Sequence, residues 1–285
     1  GDLCQSETVI GERPTNRKAF FLDTPGGSRF ALATWPSEEP AGGWLYLHPF
    51  AEETNKSRRM AALGAEALAQ RGWLVLQVDL GGCGDSAGEF GDATWQGWID
   101  DVSQAWAWLR KACSGQIGIW TLRAGSLLAA DWVEQTGEHP PLLFWQPVRS
   151  GKQHLTQFLR LKAASDMLTN NSKGTVAKLR DELESGRAVE VAGYSLSPAI
   201  AAGMNASRLQ LPDDYGSAVT AIEVVSGERS EPTPGTAAMI QSMNTAGIAV
   251  SVEATPGPSF WQTVEIETAP SMIEATLNAL ETRTA

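Results

Sequence analysis

Apolar positions along the chain switch period several times, and the switches mark the elements. Phe20 to Thr24 and Arg29 to Trp35 are short apolar runs either side of Pro25-Gly26-Gly27, which predicts a β-hairpin. Gly43 to Leu47 predicts a buried strand. Asn55 to Arg71 carries Met60, Leu63, Ala67 and Leu68 at helical spacing, with Gly72 closing it. Trp73 to Val78 predicts a strand, and Leu80 to Gly91 a glycine-rich loop. Thr94 to Lys111 predicts a helix with Trp95, Trp98, Val102, Trp106 and Leu109 along one stripe. Ile117 to Trp120 reads as strand, Gly125 to Gln135 as helix and Leu142 to Trp145 as strand.

From Ser150 to about Pro212 the alternation lapses into a polar, helix-biased stretch. It holds a loop at Asn170-Asn171-Ser172-Lys173-Gly174 and a helix start at Ser197-Pro198. The alternation resumes with a strand at Ala221 to Val225, a helix at Pro234 to Ala246, a strand at Ile248 to Val252 and a helix at Ser271 to Leu280. Strands alternating with helices predict a mostly parallel central sheet covered on both faces. The reading is one domain, residues 1–285, with residues 150–214 inserted as a helical lid.

Composition narrows the function. Of 285 residues, 42% are hydrophobic and 19% charged, as in a folded globular protein. Lys and Arg number 22 against 33 Asp and Glu, a net charge of −11, which disfavours nucleic acid and anionic membranes as partners. Cys4, Cys83 and Cys113 have no zinc or redox spacing and fit reduced thiols in a cytoplasmic protein. No apolar run is long enough to span a bilayer. Eleven tryptophans leave large aromatic surfaces that need burial or a ligand.

The element order resembles the α/β-hydrolase fold. Leu47-His48-Pro49-Phe50 stands where that fold carries its oxyanion loop. Asp79-Leu80-Gly81-Gly82-Cys83-Gly84-Asp85-Ser86-Ala87-Gly88 is similar to its Asp-x-x-Gly-x-Gly-x-Ser-x-Gly loop, and Trp120-Thr121-Leu122-Arg123-Ala124-Gly125 stands at the nucleophile elbow. A closer resemblance is to the second type of hydrolase associated with the exosortase A system. It is carried by His48-Pro49-Phe50-Ala51-Glu52-Glu53 with Asn55-Lys56-Ser57-Arg58-Arg59-Met60, by Gly91-Asp92-Ala93-Thr94-Trp95, by Trp145-Gln146-Pro147-Val148 and by Phe260-Trp261. That resemblance implies a setting beside exopolysaccharide synthesis and protein sorting, and hydrolysis of an ester or acyl bond.

The residues of the elbow do not carry that chemistry. The motif Gly-x-Ser-x-Gly is here Thr121-Leu122-Arg123-Ala124-Gly125, and the guanidinium at the nucleophile position stays protonated and cannot attack a carbonyl. The stretch Ala254 to Trp261, where the fold keeps its histidine, has none. The acid position, after the strand ending near Ser226, offers Glu228 or Glu231. The three histidines are His48, His139 in a polar turn and His154, read as solvent-facing at the start of the lid.

Two readings follow. In the first, the old active site is a non-catalytic or anion-binding site, since an Arg fork at a helix N-terminus suits a carboxylate or phosphate. Its expected residues are Arg123, Leu122, Ala124, His48, Pro49, Phe50, Glu52, Glu53, Gln146 and Trp261. A guanidinium there also needs a negative partner, which Glu52, Glu53 or Asp85 can supply. In the second, His48 or a carboxylate such as Glu53 or Glu228 activates water for ester or acyl hydrolysis. The ligand in either case is a small anionic, acyl or sugar compound, and a partner protein can supply missing groups. No cofactor is implied, and no metal, because no His or third carboxylate completes a ligand set with Glu52 and Glu53.

Overall fold

A computed structural model describes residues 13–165, 172–227 and 231–281. Eight strands form one sheet. In chain order these are β1 (Asn16–Thr24), β2 (Gly27–Trp35), β3 (Gly42–Leu47), β4 (Trp73–Val78), β5 (Gln116–Leu122), β6 (Leu142–Trp145), β9 (Val219–Val225) and β10 (Val250–Pro256). Across the sheet they lie in the order β1-β2-β4-β3-β5-β6-β9-β10. Only β2 runs antiparallel to its neighbours, β1 and β4; all other pairs are parallel. The expected hairpin and parallel sheet are therefore both present. The central strands β3, β6 and β9 are buried along their whole length, which is why they read as continuous apolar runs.

Helices cover both faces. On one side α1 (Glu52–Gln70) and α8 (Pro270–Glu281) pack Met60, Leu68 and Met272 against Trp120, Trp145 and Phe260. On the other, α2 (Trp95–Ala112), α3 (Gly125–Thr136) and α7 (Pro234–Thr245) close a larger core. The tryptophan stripe of α2 is packing: Trp95 and Trp98 are buried, and Trp106 packs at a tilt against Trp132. Thr94 caps α2 by accepting the Gly97 N–H, as its sequence position suggests.

Between β6 and β9 the chain forms α4 (Gly151–Ser165), α5 (Ser172–Glu184), the antiparallel pair β7 (Val189–Val191) and β8 (Tyr194–Leu196), and α6 (Pro198–Ala206). The insertion is thus not wholly helical. Its turn places Ala192 and Gly193 at φ 50° and 83°, a two-residue connection whose handedness matches the twist of the strands. Cys4 and the Asn170-Asn171 part of the expected loop lie outside the described residues. Two boundaries differ from the sequence reading. Helix α1 begins at Glu52, not Asn55, because Ala51 turns the chain at φ 55° without a side-chain cap; Asn55 instead accepts a bond from Arg58. Strand β10 starts at Val250 because Ile248 still closes α7, its N–H bonded to Met243 O.

Candidate functional site

The site lies at the carboxyl edge of the sheet, where β5 turns sharply into α3. Arg123 occupies that turn at φ 53°, a conformation that a non-glycine residue holds only when its surroundings impose it. The surroundings are visible. The Arg123 N–H donates to Trp145 O, Arg123 O accepts from the Ser126 hydroxyl, and that hydroxyl oxygen also accepts the Val148 N–H. A side chain at Gly125 would meet Leu47 O at 2.6 Å, so glycine is required for α3 to approach β3. The elbow backbone is intact although its central residue is an arginine.

The Arg123 side chain is held on two sides. Its Nε donates to Glu53 Oε1 at 3.1 Å, and an Nη stands 3.5 Å from Glu53 Oε2. The guanidinium also lies over the Trp261 ring, 5.2 Å from its centroid, within cation–π range. Burial pushes the Glu53 carboxyl above its usual range, and the Arg123 charge pulls it back only in part. Of the three carboxylates considered as partners, Glu53 is the one engaged. Asp85 is exposed, with its N–H bonded to Asp79, and Glu52 stands beside the pair with Oε2 unbonded.

His48 is fully committed. Nδ1 lies 2.7 Å from Pro49 O and Nε2 accepts the Leu80 N–H at 3.2 Å, so the ring is the neutral tautomer with its proton on Nδ1. Burial lowers its pKa further, ahead of the opposing contributions of Pro49 and Asp79. No lone pair is left to take a proton from water, so this geometry contradicts a general-base role for His48.

Other nominated residues are packing. Leu122 and Ala124 are buried. Phe50 sits in an aromatic cluster with Phe90, Trp98, His154 and Phe158, at centroid distances of 5.7, 6.2, 6.3 and 5.0 Å. The space bounded by His48, Pro49, Phe50, Trp98, Ala124 and Met204 amounts to about 10 Å³, room for one water at most. An acyl group does not fit beside the elbow amides, which corrects the expectation that Phe50, Pro49 and Leu122 line a ligand cavity. Trp261 is also buried, against Phe260 and Arg123.

Arg123 and Gln146 do face a cavity, on the other side of the elbow. A cleft of about 370 Å³ runs from them to α4 and the start of α7, and Arg149, Gln153, His154 and Gln157 line it too. Sequence reasoning missed these four. His154 is 6% exposed, which corrects the solvent-facing expectation; it belongs to the buried stripe Gly151, His154, Leu155, Phe158, Leu159 of α4. That spacing of three and four was the available signal. Burial and then the Arg123 charge bring its pKa down to about 3. Glu223, inside β9, holds the far end of the cleft by accepting the Thr233 N–H and the Thr236 hydroxyl at the N-terminus of α7. Glu228 lies outside the described residues, and Glu231 is exposed. Among the described residues no group of three His, Cys, Asp or Glu side chains is placed to hold a metal. No helix among them is long and apolar enough to cross a membrane.

Residues 35–128, from the end of β2 into α3, match the sequence profile of the S15 family, X-Pro dipeptidyl-peptidase. No curated protein matches the chain in sequence. Solved structures match it in shape. Est1E from Butyrivibrio proteoclasticus with ferulic acid bound superposes with a TM-score of 0.63 at 17% identity, over 94% of this chain and 100% of that one. XC6422 from Xanthomonas campestris, an α/β serine hydrolase without a lid, gives 0.57 at 14%, over 94% and 95%. Proline iminopeptidase from Mycobacterium smegmatis gives 0.56 at 16%, over 92% and 97%. With its strand order, its single antiparallel strand and its strand–elbow–helix turn, the chain has the α/β-hydrolase fold.

Proposed function

We propose that this chain is a non-hydrolytic member of its fold that binds a small anionic ligand in the cleft beside Arg123. The observation that carries the reading is the guanidinium itself. Glu53 occupies one edge and Trp261 one face, yet Arg123 still lines the cleft, with Arg149 at its rim. Five donors on a rigid fork can serve an internal carboxylate and a ligand together. The triad has no nucleophile at the elbow and no histidine after β10, and the 10 Å³ void leaves no place for an acyl group. His48, with both nitrogens bonded to backbone, gives no support to water activation.

The residues between β6 and β9 act in this reading as a lid, since α4 forms one wall of the cleft. The resemblance to exosortase-associated hydrolases supports a cytoplasmic role beside exopolysaccharide synthesis, and a ligand drawn from that chemistry. The test has two parts. Thermal unfolding is followed with carboxylates and inorganic phosphate, for wild type and Arg123→Gln; the wild type rises in Tm with an anion, and the variant responds less. Hydrolysis of p-nitrophenyl esters of short and long acyl chains is measured alongside. Saturable turnover above buffer, or no anion that shifts Tm, would overturn the proposal.

A further inference from the structure

The α4 wall of the cleft has a chemistry that a bare anion does not need. His154 is 6% exposed and lines the cleft, and its ring makes no hydrogen bond to any described residue. Its ring nitrogens are not sealed from solvent, so a polar group that enters the cleft can take the place of water on them. Gln153 and Gln157 stand four residues apart on the same helix and line the same wall. Opposite, Gln146 accepts the Val224 N–H with Oε1, which leaves its amide nitrogen free as a donor. Burial beside Arg123 keeps the imidazole neutral, so one nitrogen donates and the other accepts.

The amides of Gln153 and Gln157 and a neutral imidazole each both donate and accept, and Gln146 adds a donor. A hydroxyl group does the same, whereas a carboxylate only accepts. The cleft therefore combines cationic anchors with a wall matched to hydroxyls. Glu223 is bonded through both oxygens at the N-terminus of α7, whose dipole offsets part of its charge, and Arg149 has no carboxylate partner among the described residues. The volume of about 370 Å³ is at the small end for ligand sites and fits one or two sugar rings. We infer that the cleft takes a sugar acid, its carboxylate on Arg123 and Arg149 and its vicinal hydroxyls on His154 and the glutamine side chains. This rests on the anion-binding reading above and specifies its ligand class.

Calorimetric titration of the full chain distinguishes the two. The probes are D-glucuronate, cyclohexanecarboxylate, which keeps ring and charge without hydroxyls, and methyl glucoside, which keeps hydroxyls without charge. Glucuronate is expected to bind at least about tenfold tighter than either. In His154→Phe, glucuronate loses about tenfold while cyclohexanecarboxylate stays within about twofold; His154→Gln, which retains donor and acceptor, recovers part of the loss. Should His154→Phe fold poorly, Gln157→Leu carries the same test from the helix surface. Equal affinity for the two acids overturns the sugar-acid inference and leaves anion binding standing. Methyl glucoside binding as well as glucuronate overturns it in favour of a neutral sugar. No binding of any probe, with no Tm shift from phosphate or simple carboxylates, overturns both readings.

Discussion

Arg123 and Trp261 meet at the sharp turn from β5 into α3, the guanidinium 5.2 Å from the centre of the indole ring. Glu53 closes the other side at 3.1 Å. The two residues belong together. A guanidinium at a helix N-terminus opposes the helix dipole and needs both a counter-charge and a flat, polarisable surface. With side chains only 17% and 11% exposed, the Arg123–Glu53 pair is shielded enough that losing one partner strands the other. Glu53→Gln and Arg123→Met are each expected to cost about 3 kcal/mol in urea unfolding, and the double variant much less than the sum. Additive losses would show that the pair is not coupled.

The elbow backbone does not supply activity by itself. Arg123→Ser places a hydroxyl at φ 53° but provides no base, since His48 is bonded to backbone through both nitrogens and no histidine follows β10. We expect no turnover of p-nitrophenyl acetate above buffer and no labelling by a fluorophosphonate probe. Labelling of the Arg123→Ser variant at the new hydroxyl would reveal a base that the structure does not place there.

His154 is expected to make the fold acid-labile. An ordinary histidine gains a proton near pH 6.5, but this one is pushed down to about 3 by burial and by Arg123. Between those values the unfolded chain binds a proton that the native chain does not. Stability is therefore complete above pH 6.5 and falls as pH drops towards 3, by up to about 1.4 kcal/mol per pH unit. His154→Gln is expected to flatten the slope of stability against pH in this window. The charged groups that share the cleft with it are Arg123, Arg149 and Glu223, and Phe50 packs on its ring. An unchanged slope in the variant would assign the acid lability elsewhere.

Much of this is legible in the sequence, for identifiable reasons. The sheet follows from alternating periods, and α2 announces itself through the Thr94 cap and its apolar stripe. The elbow is recognisable from Gly125 and the apolar run before it, even without serine. The choice among Glu52, Glu53 and Asp85 is not, because the partners are 70 positions apart and neighbouring carboxylates look alike in one dimension. The β7–β8 ribbon escapes because Ala192 takes a positive φ, a place where Asn, Asp or Gly is the usual signal. His154 reads as exposed because its polarity outweighs a helical spacing that points inward. The cleft itself joins the β6 loop, α4 and α7, and no local pattern brings those together.

Cys83 lies in the glycine-rich loop yet is chemically quiet. Burial, then the charges of Asp79 and Asp101, push its thiol up to about 12, so almost no thiolate exists at ordinary pH. Cys83 is half-buried, and Cys113 is buried. In Cys4→Ser, an aromatic disulfide reagent is expected to titrate neither thiol in the native protein on a timescale of minutes, and both after denaturation. Rapid native reaction at Cys83 would mean that the loop opens far more readily than its bonds suggest.

Those bonds centre on Arg29 and Asp101, an ion pair of 2.9 Å with side chains 7% and 3% exposed. Asp101 also accepts the Gly81 N–H at 2.8 Å, and Trp98 donates to Gly81 O at 2.9 Å. The pair thus pins the start of the glycine-rich loop to α2, next to His48, whose Nε2 takes the Leu80 N–H. Replacing Asp101 by Asn leaves the Arg29 charge buried and uncompensated, an expected loss of about 3–5 kcal/mol. The surface pair Arg110–Glu138, at 3.8 Å with side chains 60% and 45% exposed, is screened by water and supplies the control. Arg110→Gln is expected to change stability by less than about 0.5 kcal/mol, measured in the same urea titration. If the two substitutions cost alike, burial of the Arg29–Asp101 pair is not what anchors the loop.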